Sequence, residues 1–294
     1  METKIAVLKD GRNLAYMEFG NPKGTPVFYA HGGPGSRLEG EWFHDIAFRR
    51  RFRIIATDRP GFGESSYLPN RKPKDYARGI AELADFLNID KFGVMGWSGG
   101  GMPTTICAHE IPERLLFNFT FAGYTNWAEM PNAESYLAGG RDNVENAGAM
   151  FRLSTVEDFS KSLMPMHERL KTSPEEAYAA IINQLNDTDK AIAAKTSFKK
   201  IFIRSQIEAF KQGTTGPGHD GFLHFQDWGF RLRNIAFPIH VFHGNSDGLV
   251  PVEYGKHLRD NVQNCRLTLW EGEGHFAPNN HMEEIFDLAA EALS

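Results

Sequence analysis

The chain changes texture twice. Over residues 1–122, short apolar runs alternate with helical patterns; residues 123 to about 230 are almost wholly helical in pattern; the remainder returns to the first texture. The opening predicts a hairpin, Lys4–Leu8 and Asn13–Phe19, because Asp10-Gly11 between two apolar runs favours a tight turn in which glycine takes a positive φ. Val27–Ala30, Ile54–Thr57, Phe92–Gly96 and Leu115–Ala122 are short and nearly continuously apolar, as strands covered on both faces must be. Between the second and third of these, Tyr76–Ile89 places Ile80, Leu83, Ala84 and Leu87 at helical spacing. Strand, helix, strand at this rhythm predicts right-handed crossovers and a mostly parallel sheet.

The middle segment carries its own helix starts. Ser154-x-x-Glu157 reads as a capping box, and Ser173-Pro174-Glu175-Glu176 as a capped start with proline in the first turn. The Gly-rich stretch Gly213–Gly221 reads as the close of the segment. After it, Ile239–Phe242 and Arg266–Trp270 read as strands, and Val252–Val262 and Met282–Leu293 as helices. The expected fold is therefore α/β, a mostly parallel sheet of about eight strands flanked by helices. Its core spans 1–122 and 231–294, and residues 123–230 form a helical cap over the carboxyl ends of the strands, where open α/β sheets bind ligands.

Composition narrows the function. The 294 residues are 41% hydrophobic and 23% charged, which excludes global disorder, collagen and coiled coil. With 32 basic against 37 acidic residues, the net charge of −5 excludes a broadly basic nucleic-acid binder. The run Arg49-Arg50-Arg51-Phe52-Arg53 reads as a solvated helix end entering a strand. Cys107 and Cys265 stand far apart with no CxxC, the pattern of reduced, buried thiols. No apolar run approaches the roughly 18 residues of a membrane span, and Asp10 comes too soon for a signal-peptide core. These features point to a soluble, cytoplasmic protein with no membrane and no nucleic-acid partner.

The sharpest chemical signal is Gly96-Trp97-Ser98-Gly99-Gly100, after the Phe92–Gly96 strand and before a helix over Met102–Glu110. A strand-to-helix corner of this kind lifts the Ser98 hydroxyl above the sheet beside a helix N-terminus. His31-Gly32-Gly33-Pro34-Gly35 follows the Val27–Ala30 strand; Pro34 has no N–H, so the useful donor there is the Gly33 amide. Paired with the Gly99 amide, it would form a two-donor oxyanion hole. A serine nucleophile needs a histidine base and a carboxylate to orient it. Of the eleven histidines, His275 stands in a flexible turn just after the last strand, and Asp247 stands just after the strand before it. Ser98, Asp247 and His275 thus share one edge of the sheet. No cluster of His, Cys or carboxylates has metal-ligand spacing, and no cofactor is expected.

Together HGGPGS at 31–36, DRPGFGES at 58–65, GWSGGG at 96–101, HGNSDGLVP at 243–251 and GEGHF at 272–276 make the chain resemble an α/β-hydrolase over nearly its whole length. The resemblance implies a Ser98–Asp247–His275 triad with Gly33 and Gly99 as oxyanion donors. Residues 208–230 also resemble the end of the lid in proline iminopeptidase-like hydrolases, as does HGGPG. The departures are Trp97 before Ser98 with Gly99 after it, and Asp58-Arg59-Pro60 where those enzymes usually carry Asp-Gln-Arg. Their lid glutamates hold a substrate ammonium, and the nearest counterpart here is Glu208. Trp97 and Phe276 are further candidate pocket residues. Met130, Met150, Met164 and Met166 fit either an adaptable lid or plain helix packing. Arg59 reads as a structural loop residue. Serine as nucleophile sets the chain apart from epoxide hydrolases and haloalkane dehalogenases, which use aspartate. The expected activity is hydrolysis of a small or medium carboxylic ester. The alternatives are an aminopeptidase for N-terminal proline and a triad-retaining small-molecule receptor, the latter disfavoured by the length of the lid.

Overall fold

A computed structural model describes residues 2–133 and 153–293. The strands are β1 (Lys4–Val7), β2 (Asn13–Gly20), β3 (Thr25–Ala30), β4 (Phe52–Thr57), β5 (Phe92–Trp97), β6 (Leu115–Phe121), β7 (Ile239–Gly244) and β8 (Cys265–Trp270). They form one eight-stranded sheet in the order β1-β2-β4-β3-β5-β6-β7-β8. β2 pairs antiparallel with both β1 and β4, and every other pairing is parallel. β5 and β7 are buried at every position, which is why their sequences read as unbroken apolar runs.

Helices cover both faces. On one side α1 (His44–Arg49) and the C-terminal helix pack Ile46, Ala47, Ile285 and Phe286 against Phe52, Phe119 and Phe242. On the other, α2 (Asp75–Phe86) and α3 (Gly101–Glu110) pack Ile80, Leu83 and Ile106 against Phe28, Ile55 and Val94. The basic run behaves as a solvated helix end: Arg49 and Arg50 pair with Glu283, and Arg53 with Glu18. Cys107 is buried, Cys265 only partly so, and both are free thiols. Among the described residues no helix is long and apolar enough to cross a membrane.

Between β6 and β7 lies a helical insertion. Its described helices are α4 (Val156–Ser162), α5 (Met164–Thr172), α6 (Pro174–Ile182), α7 (Asp187–Ala193), α8 (Thr196–Ala209) and α9 (Thr215–His224). α10 (Val252–Asn261) and α11 (Met282–Glu291) complete the chain. One sequence expectation needs correction. The cap of α4 is Thr155, not Ser154: its hydroxyl accepts from the Asp158 N–H at 3.1 Å and donates back to the Asp158 carboxylate at 2.7 Å. The Gly-rich stretch at the close of the segment is itself helical, forming the body of α9. A Cβ on Gly216 would strike the Gly61 carbonyl and one on Gly218 would strike Ser160, so the glycines serve close helix packing.

The chain runs β3 to β4 in one direction along the sheet and then crosses to β5 on the other side of β3. This reversal opens a crevice at the carboxyl ends of β3 and β5, the place where open α/β sheets take ligands.

Candidate active site

β5 ends at Trp97 and α3 begins at Gly101, so Ser98 sits on a one-turn corner at φ +54°. A non-glycine residue is held there only when its surroundings enforce it. The corner closes because Gly96 and Gly100 lack side chains: a Cβ on Gly100 would run into the Ala30 carbonyl, and one on Gly96 into the Gly100 carbonyl. The serine turn therefore presses on the end of β3. There the backbones of Gly33 and Gly99 abut, with a Cβ on Gly99 standing 3.1 Å from the Gly33 nitrogen. The Gly33–Pro34 peptide is cis.

The loops after β7 and β8 meet. His275 Nδ1 lies 2.8 Å from Asp247 Oδ2. A carboxylate only accepts, so Nδ1 carries the proton and Nε2 is left as the basic nitrogen. Asp247 Oδ1 accepts the Leu249 and Val250 N–H groups at 2.8 and 2.9 Å, and His243 Nε2 stands 3.3 Å from Oδ2. Burial alone would raise the Asp247 carboxyl; the charges and hydrogen bonds of His275 and His243 outweigh it and hold it well below the usual range. Burial works against a charged His275, but Asp247, with help from Asp189 and Glu39, raises its pKa above the ordinary 6.5.

Ser98, His275, Trp97 and Phe276 face one cavity of about 290 Å³, walled also by Met166, Ile181, Phe202 and Leu249, with Glu39 and Gln206 as polar members. A second cavity of about 120 Å³ shares Gly33, Pro34 and Tyr124 with the first and is lined by Phe62, Phe159, Leu163 and Phe225. Burial pushes the Glu39 carboxyl up to about 7, partly offset by the Gly32 N–H at 2.8 Å and the Tyr29 hydroxyl at 3.1 Å. Among the described residues no group of His, Cys, Asp or Glu is placed to hold a metal ion.

The structure thus brings Ser98, His275, Asp247, Gly33 and Gly99 to one crevice. Trp97 both lines the cavity and ties the histidine loop, donating its indole N–H to the His275 carbonyl at 3.0 Å. Phe276 also lines the cavity, though it is only 1% exposed and packs on Phe198 and Phe202. Glu208 is a correction: it does not line the cavity but pairs with Arg37 at 2.9 Å, beside the Arg37–Asp58 ion pair. Met166 reaches the cavity, Met164 is exposed, Met130 is half-buried, and Met150 lies outside the described residues.

Sequence reasoning missed the insertion's contributions to this crevice. Asp189 on α7 is fully buried and accepts the backbone N–H groups of His275 and Phe276 at 2.8 and 2.7 Å. Its sequence context, Asn186-Asp187-Thr188-Asp189, signals only a helix start, and Asn186 does cap α7. Asp220 and His224, one turn apart on α9, lie at the other side of the site. Their i, i+4 spacing was the only signal, and it was masked by the glycines around them. Glu39, too, was indistinguishable from a surface acid.

A family model described as the alpha/beta hydrolase fold matches residues 25–281. The chain is 25% identical over 299 residues to the 2-hydroxy-6-oxononadienedioate/2-hydroxy-6-oxononatrienedioate hydrolase of Burkholderia vietnamiensis, covering 98% of this chain and 94% of that protein. Among solved structures, a hydrolase from Pseudomonas aeruginosa superposes with a TM-score of 0.70 at 16% identity, over 100% of this chain and 98% of that one. The esterase RhEst1 from Rhodococcus sp. gives 0.69 at 22% identity, over 99% and 100%. Both structures share the fold.

Proposed function

The chain belongs to the α/β-hydrolase family, and from that premise we propose that it is a serine hydrolase cleaving a small or medium carboxylic ester through an acyl-enzyme. One juxtaposition carries the proposal: Ser98, on a corner of positive φ, and His275, tethered through Nδ1 to Asp247, face the same cavity. In this mechanism His275 Nε2 takes the Ser98 proton as the hydroxyl attacks the carbonyl carbon. Asp247 holds the imidazole in its tautomer and stabilises the imidazolium. The Gly33 and Gly99 N–H groups donate to the oxyanion as it forms. His275 returns the proton to the leaving alcohol, then activates water, which releases the acid. No cofactor takes part in any step, and the insertion serves as the cap over the bound ester.

Two features favour an ester over the rivals. Among the described residues lining either cavity there is no Arg or Lys. A dioate such as the one in the Burkholderia relative's name would bury a carboxylate there without a cation, which costs several kcal/mol. A prolyl aminopeptidase must instead bury an ammonium, but Glu208 is engaged by Arg37, and Glu39 already accepts from Gly32 and Tyr29.

A fluorophosphonate is expected to label Ser98, and Ser98→Ala to remove nearly all turnover, on the order of a millionfold in kcat. Aryl and alkyl esters should exceed prolyl-arylamides in kcat/KM by at least about a hundredfold, roughly 2.7 kcal/mol of transition-state discrimination. A panel in which the prolyl-arylamide or the dioate is the best substrate overturns the ester assignment; undiminished turnover in Ser98→Ala overturns the mechanism.

A further inference from the structure

Arg59 follows β4, and its guanidinium is 1% exposed. It lines neither the Ser98 cavity nor the smaller one beside it. Its Nη2 donates to the Gly32 carbonyl at 3.0 Å, and its Nη1 to the His31 carbonyl. The Arg59 backbone N–H donates to His31 Nε2 at 3.2 Å, which makes Nε2 the acceptor and Nδ1 the protonated nitrogen. His31 Nδ1 then donates to the same Gly32 carbonyl at 2.7 Å. Burial and the Arg59 charge keep His31 neutral, in agreement with that tautomer.

The Gly32 carbonyl and the Gly33 N–H belong to one planar peptide unit. Two donors on its oxygen, one of them a guanidinium, fix the plane in which the N–H points. They also draw electron density from the nitrogen and strengthen its N–H as a donor. The preceding peptide is pinned as well, because the Gly32 N–H donates to Glu39 at 2.8 Å.

What holds Arg59 comes from the insertion. Asp220 on α9, 4% exposed, accepts from Arg59 Nε at 3.0 Å and pairs with Nη2 at 3.0 Å, while its other oxygen accepts from Arg71 at 3.1 Å. Burial would raise this carboxyl, but the two guanidinium groups hold it at about 2, so it is charged across the working range. One turn on, His224 Nε2 lies 2.9 Å from the Gly99 carbonyl. One helix of the insertion therefore touches both halves of the crevice, the Gly32–Gly33 peptide through Arg59 and the serine turn through His224.

We propose that Arg59, clamped by Asp220, is the positioning residue of the oxyanion hole, so that α9 acts in catalysis by orienting the Gly33 amide rather than only covering the substrate. This rests on the serine-hydrolase reading above. Arg59 lines neither cavity, so the loss of its hold on the Gly32–Gly33 peptide should appear in kcat and in the binding of oxyanion-forming inhibitors rather than in KM.

The test uses the full chain and two variants, Arg59→Lys and Asp220→Asn. Lys carries the charge but cannot reach both carbonyls and the carboxylate at once; Asn is isosteric and leaves Arg59 in place. For each, kcat and KM are measured on a p-nitrophenyl ester, with Ki for an aryl trifluoromethyl ketone, which forms a hemiketal oxyanion, and a thermal melt. Arg59→Lys should lower kcat by about thirty- to a hundredfold, the scale expected for an angstrom-level misplacement, and weaken the trifluoromethyl ketone by a similar factor, with KM within about threefold. Asp220→Asn should give about a tenfold loss in the same two quantities. It decides the question if Arg59→Lys does not fold. Both quantities within about threefold of wild type, or a loss confined to KM, overturns the proposal. Absence of a fluorophosphonate adduct at Ser98 in the wild type overturns instead the serine-hydrolase reading on which it rests.

Discussion

Asp189→Asn probes how the insertion holds the histidine loop. In the wild type one buried carboxylate receives two backbone N–H groups, from His275 at 2.8 Å and Phe276 at 2.7 Å. Asparagine preserves the shape and one acceptor, but sets its amide nitrogen against the other N–H. That group is left buried without a partner, at a cost of about 1–3 kcal/mol. For a chain of 294 residues, an unfolding entropy of about 2.1 cal/mol/K per residue turns about 2 kcal/mol into a fall of about 3 °C in Tm. The substitution also has an electrostatic signature. After Asp247, the Asp189 charge is among the groups that raise the His275 pKa. Without it the imidazole loses its proton at lower pH, so the rising acid limb of kcat/KM moves down. A change that merely loosened the loop would lower the rate without moving the limb. The assay is kcat/KM against pH across the neutral range, beside a thermal melt of each protein. A variant with wild-type Tm and an unmoved limb would refute the role given to Asp189.

Three further predictions concern the same crevice. If His275 is the base of the proposed mechanism it must be neutral to act, and with its pKa raised, kcat/KM in the wild type should climb with pH through a midpoint above the ordinary value of 6.5. Glu39, with its carboxyl near 7, ionises in the same window and its charge also raises His275. Glu39→Gln should therefore shift the limb to lower pH and reduce it to a single ionisation, whereas a superimposable profile would exclude the coupling. Gly216→Ala should force α9 away from Gly61 and with it Asp220 away from Arg59. The expected result is a loss of about 1–3 kcal/mol in stability from overpacking, with kcat falling more than KM rises; an alanine variant of full activity and stability would show that the close helix contact is not needed.

Much of this molecule is written locally. Strands β3, β5 and β7 are covered on both faces, so their apolar runs mark them without reference to anything distant. The Ser98 corner is equally local, since glycine at 96 and 100 is what a one-turn passage from strand to helix requires. Asp247 and His275 were legible because each follows a recognisable strand, and a parallel sheet delivers all such ends to one edge. The tertiary structure decided what lies between distant segments. Glycines that weaken a helix in isolation became α9 because they let it press on Gly61 and Ser160. Glu208 went to Arg37 instead of the cavity, and Arg59 became a link between Asp220 and the Gly32 carbonyl. Asp189 and Asp220 look in sequence like ordinary helix acids; their partners lie at residues 275–276 and at 59 and 71. Periodicity and turn residues record the preferences of a backbone over a few positions. Which carboxylate meets which amide or guanidinium depends on how the insertion folds back over the sheet, and that is settled only when both are packed.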